Sequence, residues 1–279
     1  MTDSTCPCPL PANDRGFALV AVLFVATIVA GLAVALLLLA QHTAQQGNDV
    51  VLEVENRAAG EAGLNRIILA YARPGDALRE QLAGDGRPVE WEFAGKKLML
   101  RAQAESGKLD LNAGPRDHIG ALAQRLLGEP TALARFLARL DEARSQGRPL
   151  TSVLTLLSPF DRMTARRDLM EAHFTVLTGQ RGFDPTTAPA AVIETAPGLP
   201  EQAKQDIFDA RAAGQAFNPG SIAFVPAQTF VSEKPVYTFR AETSAGFERP
   251  AAMAAQVGFS DRGRFFVYAW AAASPNLYK

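Results

Sequence analysis

From Phe17 to Ala40 the chain carries no charge: FALVAVLFVATIVAGLAVALLLLA, 24 residues in a row. As a helix rising about 1.5 Å per residue, such a run measures roughly 36 Å, enough to cross a hydrocarbon layer of about 30 Å with some tilt. Thr27 and Gly31 interrupt it, and both are tolerated in a membrane helix. A buried helix of a soluble protein would show a polar face at this length, and this one has none. A cleaved secretory signal would have an apolar region of about 7–15 residues followed by a small-x-small site. Here Ala33-Val34-Ala35 runs into four leucines instead of a polar start. An uncleaved single span fits the run better.

Arg15 flanks the run on its N-terminal side, while Asp49, Glu53 and Glu55 follow it before Arg57. The positive-inside tendency then places the N-terminus in the cytoplasm and the bulk of the chain across the membrane. The helix continues past the span. Residues 41–72 contain no proline and carry Val50, Val51, Val54, Ala58, Ala62, Ile67, Ile68 and Tyr71 at helical spacing. Gly47, Gly60 and Gly63 weaken that segment, each by about 1 kcal/mol against alanine. Pro74-Gly75 ends it. One helix is therefore predicted from Phe17 to about Ala72, apolar all round in its first half and amphipathic in its second.

Beyond it, Val89, Trp91 and Phe93 alternate with polar neighbours, Ala94-Gly95-Lys96 offers a turn, and Leu98, Leu100, Ala102 and Ala104 alternate again. A similar pattern returns only near the end: Val236 to Glu242, Met253 to Phe259 and Arg264 to Trp270, with Ser260-Asp261-Arg262-Gly263 as a turn. Trp91 and Trp270 fit strand cores. An antiparallel sheet built from both ends of the sequence would pack on the second half of the long helix, an α+β fold.

Between the strand sets lie helical segments with internal similarity. Asp110-Leu111-Asn112-Ala113-Gly114-Pro115 matches Asp184-Pro185-Thr186-Thr187-Ala188-Pro189 at an offset of 74, and Leu140 to Gly147 matches Ile207 to Gly214 at an offset of 67. Asn112 and Thr186 or Thr187 are expected as N-caps, with the prolines in the first turn. Ala196-Pro197-Gly198-Leu199-Pro200 forms a helix-hairpin-helix-like turn in the second copy, whereas Leu127-Gly128-Glu129-Pro130 has lost that form in the first. Such turns bind DNA phosphates through backbone N–H groups backed by cations. Asp184, Glu194, Glu201, Asp206 and Asp209 outnumber Lys204 and Arg211 in this segment, which favours a structural or protein-binding use.

The remaining chemistry is excluded by type. The chain has 28 basic and 29 acidic residues, so no basic excess marks it as a nucleic-acid binder. Cys6 and Cys8 both precede Gly16, so cleavage there would leave no thiol. His42, His118 and His173 are scattered, without zinc spacing. No nucleophile elbow, phosphate loop, dinucleotide fingerprint or twelve-residue calcium loop occurs. Arg162, Arg166 and Arg167 read as a solvated helix face or a partner contact.

Arg15-Gly16-Phe17-Ala18-Leu19-Val20, at the head of an apolar helix, resembles the start of a type IV pilin or pseudopilin. Lys108-Leu109-Asp110-Leu111-Asn112-Ala113, Pro197-Gly198-Leu199, VYTFRAETSA and FFVYAW narrow the resemblance to the general secretion pathway protein K family, the minor pseudopilin K of type II secretion. The resemblance covers nearly the whole chain. It implies a prepilin leader at 1–16, cut between Gly16 and Phe17 by the prepilin peptidase, with methylation of Phe17. It implies a transmembrane half at 17–40, a first part of a pilin-like domain at 41–109, an inserted α-helical domain at 110–220 and completing strands at 221–279. The function implied is noncatalytic: a single-pass inner-membrane protein, largely periplasmic, at the pseudopilus tip. Its partners would be the I- and J-type minor pseudopilins, the inner-membrane secretion platform and the bilayer, with no nucleic acid. No cofactor is expected, although some relatives bind calcium in the inserted region. The glutamate usual at the fifth mature position is Ala21 here, which fits a subunit with no neighbour above it. A membrane-anchored DNA receptor of competence type is the alternative, and an anchored hydrolase a more distant one.

Overall fold

The computed structural model describes residues 14–158, 165–214, 235–243, 251–260 and 264–273, with side chains from residue 19 in the first helix and from residue 166 in the helix that starts at 165. The first helix, α1, runs from Asp14 to Ala72, starting three residues ahead of the expected Phe17. The chain divides into two compact units, one ending at Val54 and the other starting at Glu55.

In the first unit every residue from Leu19 to Ala40 is exposed, including the leucines and valines. Thr27 Oγ1 donates back to the Leu23 carbonyl at 2.5 Å, so its hydroxyl is satisfied within the helix. The helix is long and apolar enough to cross a membrane by length and composition.

In the second unit the Glu55–Ala72 part of α1 lies on a five-stranded antiparallel sheet. The strands are β1 (Val89–Phe93), β2 (Lys96–Ala104), β5 (Val236–Thr243), β6 (Ala252–Phe259) and β7 (Phe265–Ala273), in spatial order β1-β2-β5-β6-β7. Residues from both ends of the sequence thus share one sheet, with Leu98 paired to Thr243 and Ala104 to Tyr237. The α+β class and the helix-on-sheet arrangement are as expected. The β1–β2 turn is tighter than expected: Ala94 (φ 50°) and Gly95 (φ 75°) form a two-residue hairpin loop and Lys96 already belongs to β2.

The buried face of α1 differs from the expected stripe. Asn56, Ala59, Gly60, Gly63, Leu64, Ile67, Ile68 and Tyr71 are buried, while Val50, Val51, Val54 and Ala58 are exposed. The buried set follows i, i+3, i+4, i+7 throughout. Two of its members are glycines, which carry no hydropathy signal, so the apolar letters alone misplace the face. A Cβ on Gly63 would lie 2.8 Å from the Ala241 Cβ and 3.0 Å from Leu100 Cδ2, so this glycine permits the close approach of helix to sheet. Tyr71 adds an aromatic cluster with Tyr237, Phe239 and Phe259, and its hydroxyl donates to the Leu82 carbonyl at 2.7 Å. Trp270 departs from expectation: it sits on the outer strand and is half-exposed.

The segment between β2 and β5 builds a second hydrophobic cluster. It contains α3 (Arg116–Leu127), α4 (Pro130–Ser145), α5 (Ala165–His173), α6 (Ala190–Glu194) and α7 (Glu201–Ala212), while the short α2 (Ala77–Gln81) precedes the sheet. Leu122, Phe136, Leu140, Met170, Phe174, Phe183, Ile193 and Ile207 lie at its centre. Truncating one of these to alanine would cost about 2–5 kcal/mol. A parallel two-residue pair, β3 (Leu109–Asp110) with β4 (Phe174–Thr175), ties the start of the segment to its middle.

Candidate functional site

The two repeat motifs fold as matching turns. Asp110 is fully buried, and its Oδ1 accepts from the Asn112 and Ala113 N–H groups at 2.7 and 3.1 Å. Its Oδ2 accepts from Thr178 N–H, Thr178 Oγ1 and Gly179 N–H, at 3.1, 2.9 and 2.7 Å. Five donors occupy both oxygens. Asp184 repeats the first half of this pattern, its Oδ1 accepting from Thr186 N–H at 2.9 Å and Thr186 Oγ1 at 2.6 Å. The main chain repeats too: Gly114 N–H bonds the Asp110 carbonyl at 2.7 Å, and Ala188 N–H bonds the Asp184 carbonyl at 2.9 Å.

The expected caps are corrected. Pro115 and Pro189 occupy the N-cap positions themselves, without a side-chain cap, and the helices begin one residue later. Asn112 cannot cap because its amide is used elsewhere. It donates to the carbonyls of Leu150 (3.0 Å) and Val176 (3.3 Å) and accepts from Leu150 N–H at 2.7 Å. Thr186 turns back onto Asp184, and the Thr187 carbonyl receives Gln103 Nε2 at 2.8 Å.

Each motif leads into a helix, a left-handed glycine and a second helix. Gly128 (φ 66°) separates α3 from α4, and Gly198 (φ 76°) lies between α6 and α7. The first copy therefore keeps a helical hairpin, contrary to the expectation from its letters, because the left-handed glycine rather than the flanking Ala-Pro and Leu-Pro makes the turn. The second helix then closes on the motif through an arginine. Arg144 Nη2 donates to the Gly114 carbonyl at 2.8 Å, and Arg211 Nη1 donates to the Ala188 carbonyl at 2.6 Å. These arginines and carbonyls occupy equivalent positions in the two copies. The Arg-x-x-Gly ends of the matching segments, Arg144 to Gly147 and Arg211 to Gly214, were the available signal. The copies also touch: His118 Nε2 lies 2.9 Å from the Val192 carbonyl, at the position equivalent to His118. Burial holds the imidazoles of His118 and His173 below their ordinary value.

The cations of the second hairpin are engaged within the protein. Lys204 Nζ bonds the Glu194 carbonyl at 3.0 Å and Glu201 Oε2 at 3.1 Å. Arg211 reaches Asp85 at 3.7 Å besides its carbonyl partner. Gly198 faces open space, with nothing within 4 Å of where a Cβ would lie. Leu199 N–H in this turn bonds the Ala196 carbonyl, and the two cations named for phosphate contact, Lys204 and Arg211, are both engaged.

Sequence reading missed an ionic layer between the sheet and α5. Lys108 Nζ is 2.5 Å from Glu105 Oε1, both side chains almost completely buried, and Thr238 Oγ1 bonds the same carboxylate oxygen at 2.5 Å. Around it, Lys108, Arg167, Asp168, Glu171, Thr238 and Arg240 line a cavity of about 80 Å³. Burial pushes the Glu171 carboxyl up, with Arg167 opposing. Arg240 pairs with Glu242, Arg167 with Glu171 at 3.5 Å, and Arg166 with Glu129 at 3.9 Å. Charges of both signs neutralise one another in this layer. Among the described residues no three His, Cys, Asp or Glu side chains form a metal-holding group. Asp110 is fully occupied by N–H and O–H donors.

Gly16 and Phe17 lie in the first turns of α1, and Ala21 is exposed further along it. Cys6, Cys8 and Arg162, like 215–234 and the expected turn at 260–263 apart from Ser260, fall outside the described residues.

The class defined by these features is an α+β protein with an exposed apolar N-terminal helix, a helix-on-antiparallel-sheet domain and a helical segment inserted between its second and third strands in space. No family model matches the chain, and no curated protein matches it. Among solved structures it is similar to a chain of the GspK–GspI–GspJ complex from the type 2 secretion system of enterotoxigenic Escherichia coli. That similarity has 14% identity and a TM-score of 0.48, and covers 84% of this chain and 99% of the other.

Proposed function

We propose that this chain is a noncatalytic minor pseudopilin of type II secretion, at the tip of the periplasmic pseudopilus, where it helps to initiate assembly. One observation carries the reading. A single helix joins an exposed apolar stretch to a sheet assembled from both ends of the sequence, and a repeat-built helical segment interrupts that sheet. An anchored assembly subunit needs the first two parts, and the bulk of the third suits a subunit with nothing stacked above it.

In this reading the prepilin peptidase cuts between Gly16 and Phe17, and Phe17 is methylated. Residues 17–40 then span the inner membrane with the N-terminus cytoplasmic. Residues 41–109 and 221–279 form the pilin-like domain, and residues 110–220 the inserted one. Ala21 in place of an acid removes the need for a charge partner in the bilayer. The I- and J-type minor pseudopilins and the inner-membrane platform are the partners. No calcium ligand is assigned: Asp110 carries donors on both oxygens and Asp184 on Oδ1. The DNA-receptor alternative loses support because Lys204 and Arg211 are engaged internally.

Co-purification of the full-length chain from detergent-extracted membranes, with the other minor pseudopilins of its own cell, tests the reading. A stoichiometric complex with the I- and J-type subunits is expected. Their absence, together with salt-sensitive retention of DNA by the purified chain, would replace it with the receptor.

A further inference from the structure

The sheet and the helical segment that interrupts it keep separate hydrophobic clusters among the described residues. Apolar burial is non-directional, and it is interdigitated side chains that normally turn it into one fixed geometry. That device is weak here. Where α5 faces the sheet, the cavity between them is lined by Ala172 on one side and by Ala254, Ala271 and Ala273 on the other. Side chains this short do not interlock across a gap.

Directional bonds take over where the chain leaves the sheet. A single 3-10 turn, Glu105–Gly107, follows β2 directly and leads into the helical segment. Toward the sheet, Glu105 Oε1 accepts from Lys108 Nζ and from Thr238 Oγ1 of β5, both at 2.5 Å. Lys108 Nζ also donates to Thr238 Oγ1 at 3.2 Å, so the hydroxyl is held from both sides. Toward the second repeat, the Ser106 carbonyl accepts from Asp184 N–H at 2.8 Å. A Cβ on Gly107 would lie 2.6 Å from the Thr187 carbonyl, so the two backbones touch. Gln103, directly opposite Thr238 in the β2–β5 ladder, shares its face and donates to the same Thr187 carbonyl at 2.8 Å. Tyr237 and Phe239 flank Thr238 and belong to the cluster under α1, so this face is the one turned away from α1. Bonds with restricted angles therefore set the direction in which the chain leaves β2.

These bonds leave the layer incomplete. Glu105 Oε2 and Ser106 Oγ are shielded from solvent and have no hydrogen-bond partner among the described residues, and Asp168 Oδ2 on α5 is in the same state. A buried ion pair repays its desolvation only when its remaining lone pairs are satisfied as well. This one thus lowers stability relative to an apolar layer of the same shape, although removing one partner alone remains costly. We infer that Glu105, Lys108 and Thr238 are positioning residues: they fix the angle at which the helical segment stands on the sheet, at a cost in stability. This role belongs to the chain itself, apart from the partners proposed for it.

The test compares the full-length chain in detergent with a Glu105→Leu/Lys108→Met/Thr238→Val variant, both carrying Cys6→Ser and Cys8→Ser so that only introduced thiols are labelled. Nitroxides on Glu92→Cys in β1 and Ala138→Cys in α4, both exposed positions, report the distance between sheet and helical segment by double electron-electron resonance. A second pair, Ala138→Cys with Gln205→Cys, reports on the helical segment alone. The variant should broaden the first distribution about twofold, leave the second unchanged, and unfold at an equal temperature or one up to about 10 °C higher. Thr238→Val alone cuts the link to β5 and should broaden the first distribution in part. An unchanged first distribution in both variants would overturn the inference. So would broadening of the second pair, which would mean that the layer holds the helical segment's own fold. A lowered unfolding temperature or failure of the triple variant to fold would overturn it too, because the layer would then be a source of stability.

Discussion

Replacing Lys108 by methionine would leave the Glu105 carboxylate almost fully buried without its ammonium, its remaining bond coming from Thr238. Breaking a buried pair from one side costs about 3–5 kcal/mol, whereas removing both charges is far cheaper. Urea unfolding should thus show a large loss for Lys108→Met and a smaller one for Glu105→Gln with Lys108→Met. Equal losses would mean the pair is not coupled. His118 carries a pH prediction. Burial keeps its folded imidazole below 6.5, so the unfolded chain takes up a proton first as pH falls. Its stability contribution is complete above about 6.5 and drains below it. His173 has the same sign, while Glu171, raised above 4.5 by burial, loses its contribution as pH rises from 4.5 through its folded value. The unfolding free energy should fall between about pH 7 and 5, and His118→Gln should make that fall shallower. An unchanged slope would exclude His118 as its source. These roles were only partly legible. The Oδ1 bonds of Asp110 and Asp184 are local, while the Asp110 Oδ2 bonds reach Thr178 and Gly179. Those distant bonds, like those of Asn112 to Leu150 and of Lys108 to Thr238, join partners 38 to 130 residues apart and leave no local signal.

At the scale of the element, α1 and the first hairpin carry the clearest tests. Gly63 touches the sheet where a larger side chain has no room, so Gly63→Val should cost about 1–3 kcal/mol by overpacking. Gly47 faces open space, and Gly47→Ala should be neutral or gain up to about 1 kcal/mol of helix stability. Thermal unfolding of the detergent-solubilised chain would separate the two; similar effects at both sites would contradict the packing described. Ala94 holds a left-handed conformation that L-residues with a Cβ resist, at a cost of roughly 1–2 kcal/mol. Asparagine tolerates it, so Ala94→Asn should raise stability by about 0.5–1 kcal/mol in the same assay. The hairpin and the terminal strands were legible because alternation survives wherever one face is buried. The phase of α1 was not, since its contact face is partly glycine. The exposure of β7 was invisible too: Phe265 to Trp270 reads as a core strand by composition, yet its side chains are exposed on both faces among the described residues.

For the whole molecule, two hydrophobic clusters and an exposed apolar helix make a chain whose parts face different surroundings. The order of those parts was legible, because the uncharged run, the strand sets and the repeat each announce themselves locally. How each repeat copy closes on itself and how the two meet was not, since the Arg144 and Arg211 bonds to their own motif carbonyls and the His118 contact with Val192 across the copies join positions far apart in sequence. Restoring an acid near the start of the apolar helix, Ala21→Glu, should leave pseudopilus initiation unchanged or impair it, read as secretion in a complemented deletion strain; a gain would contradict the tip position. The central claim is tested most directly by mass spectrometry of the N-terminus of the chain recovered from its own membranes. A mature chain beginning at methylated Phe17 is the predicted result. An intact Met1 in cells that contain an active prepilin peptidase would contradict it.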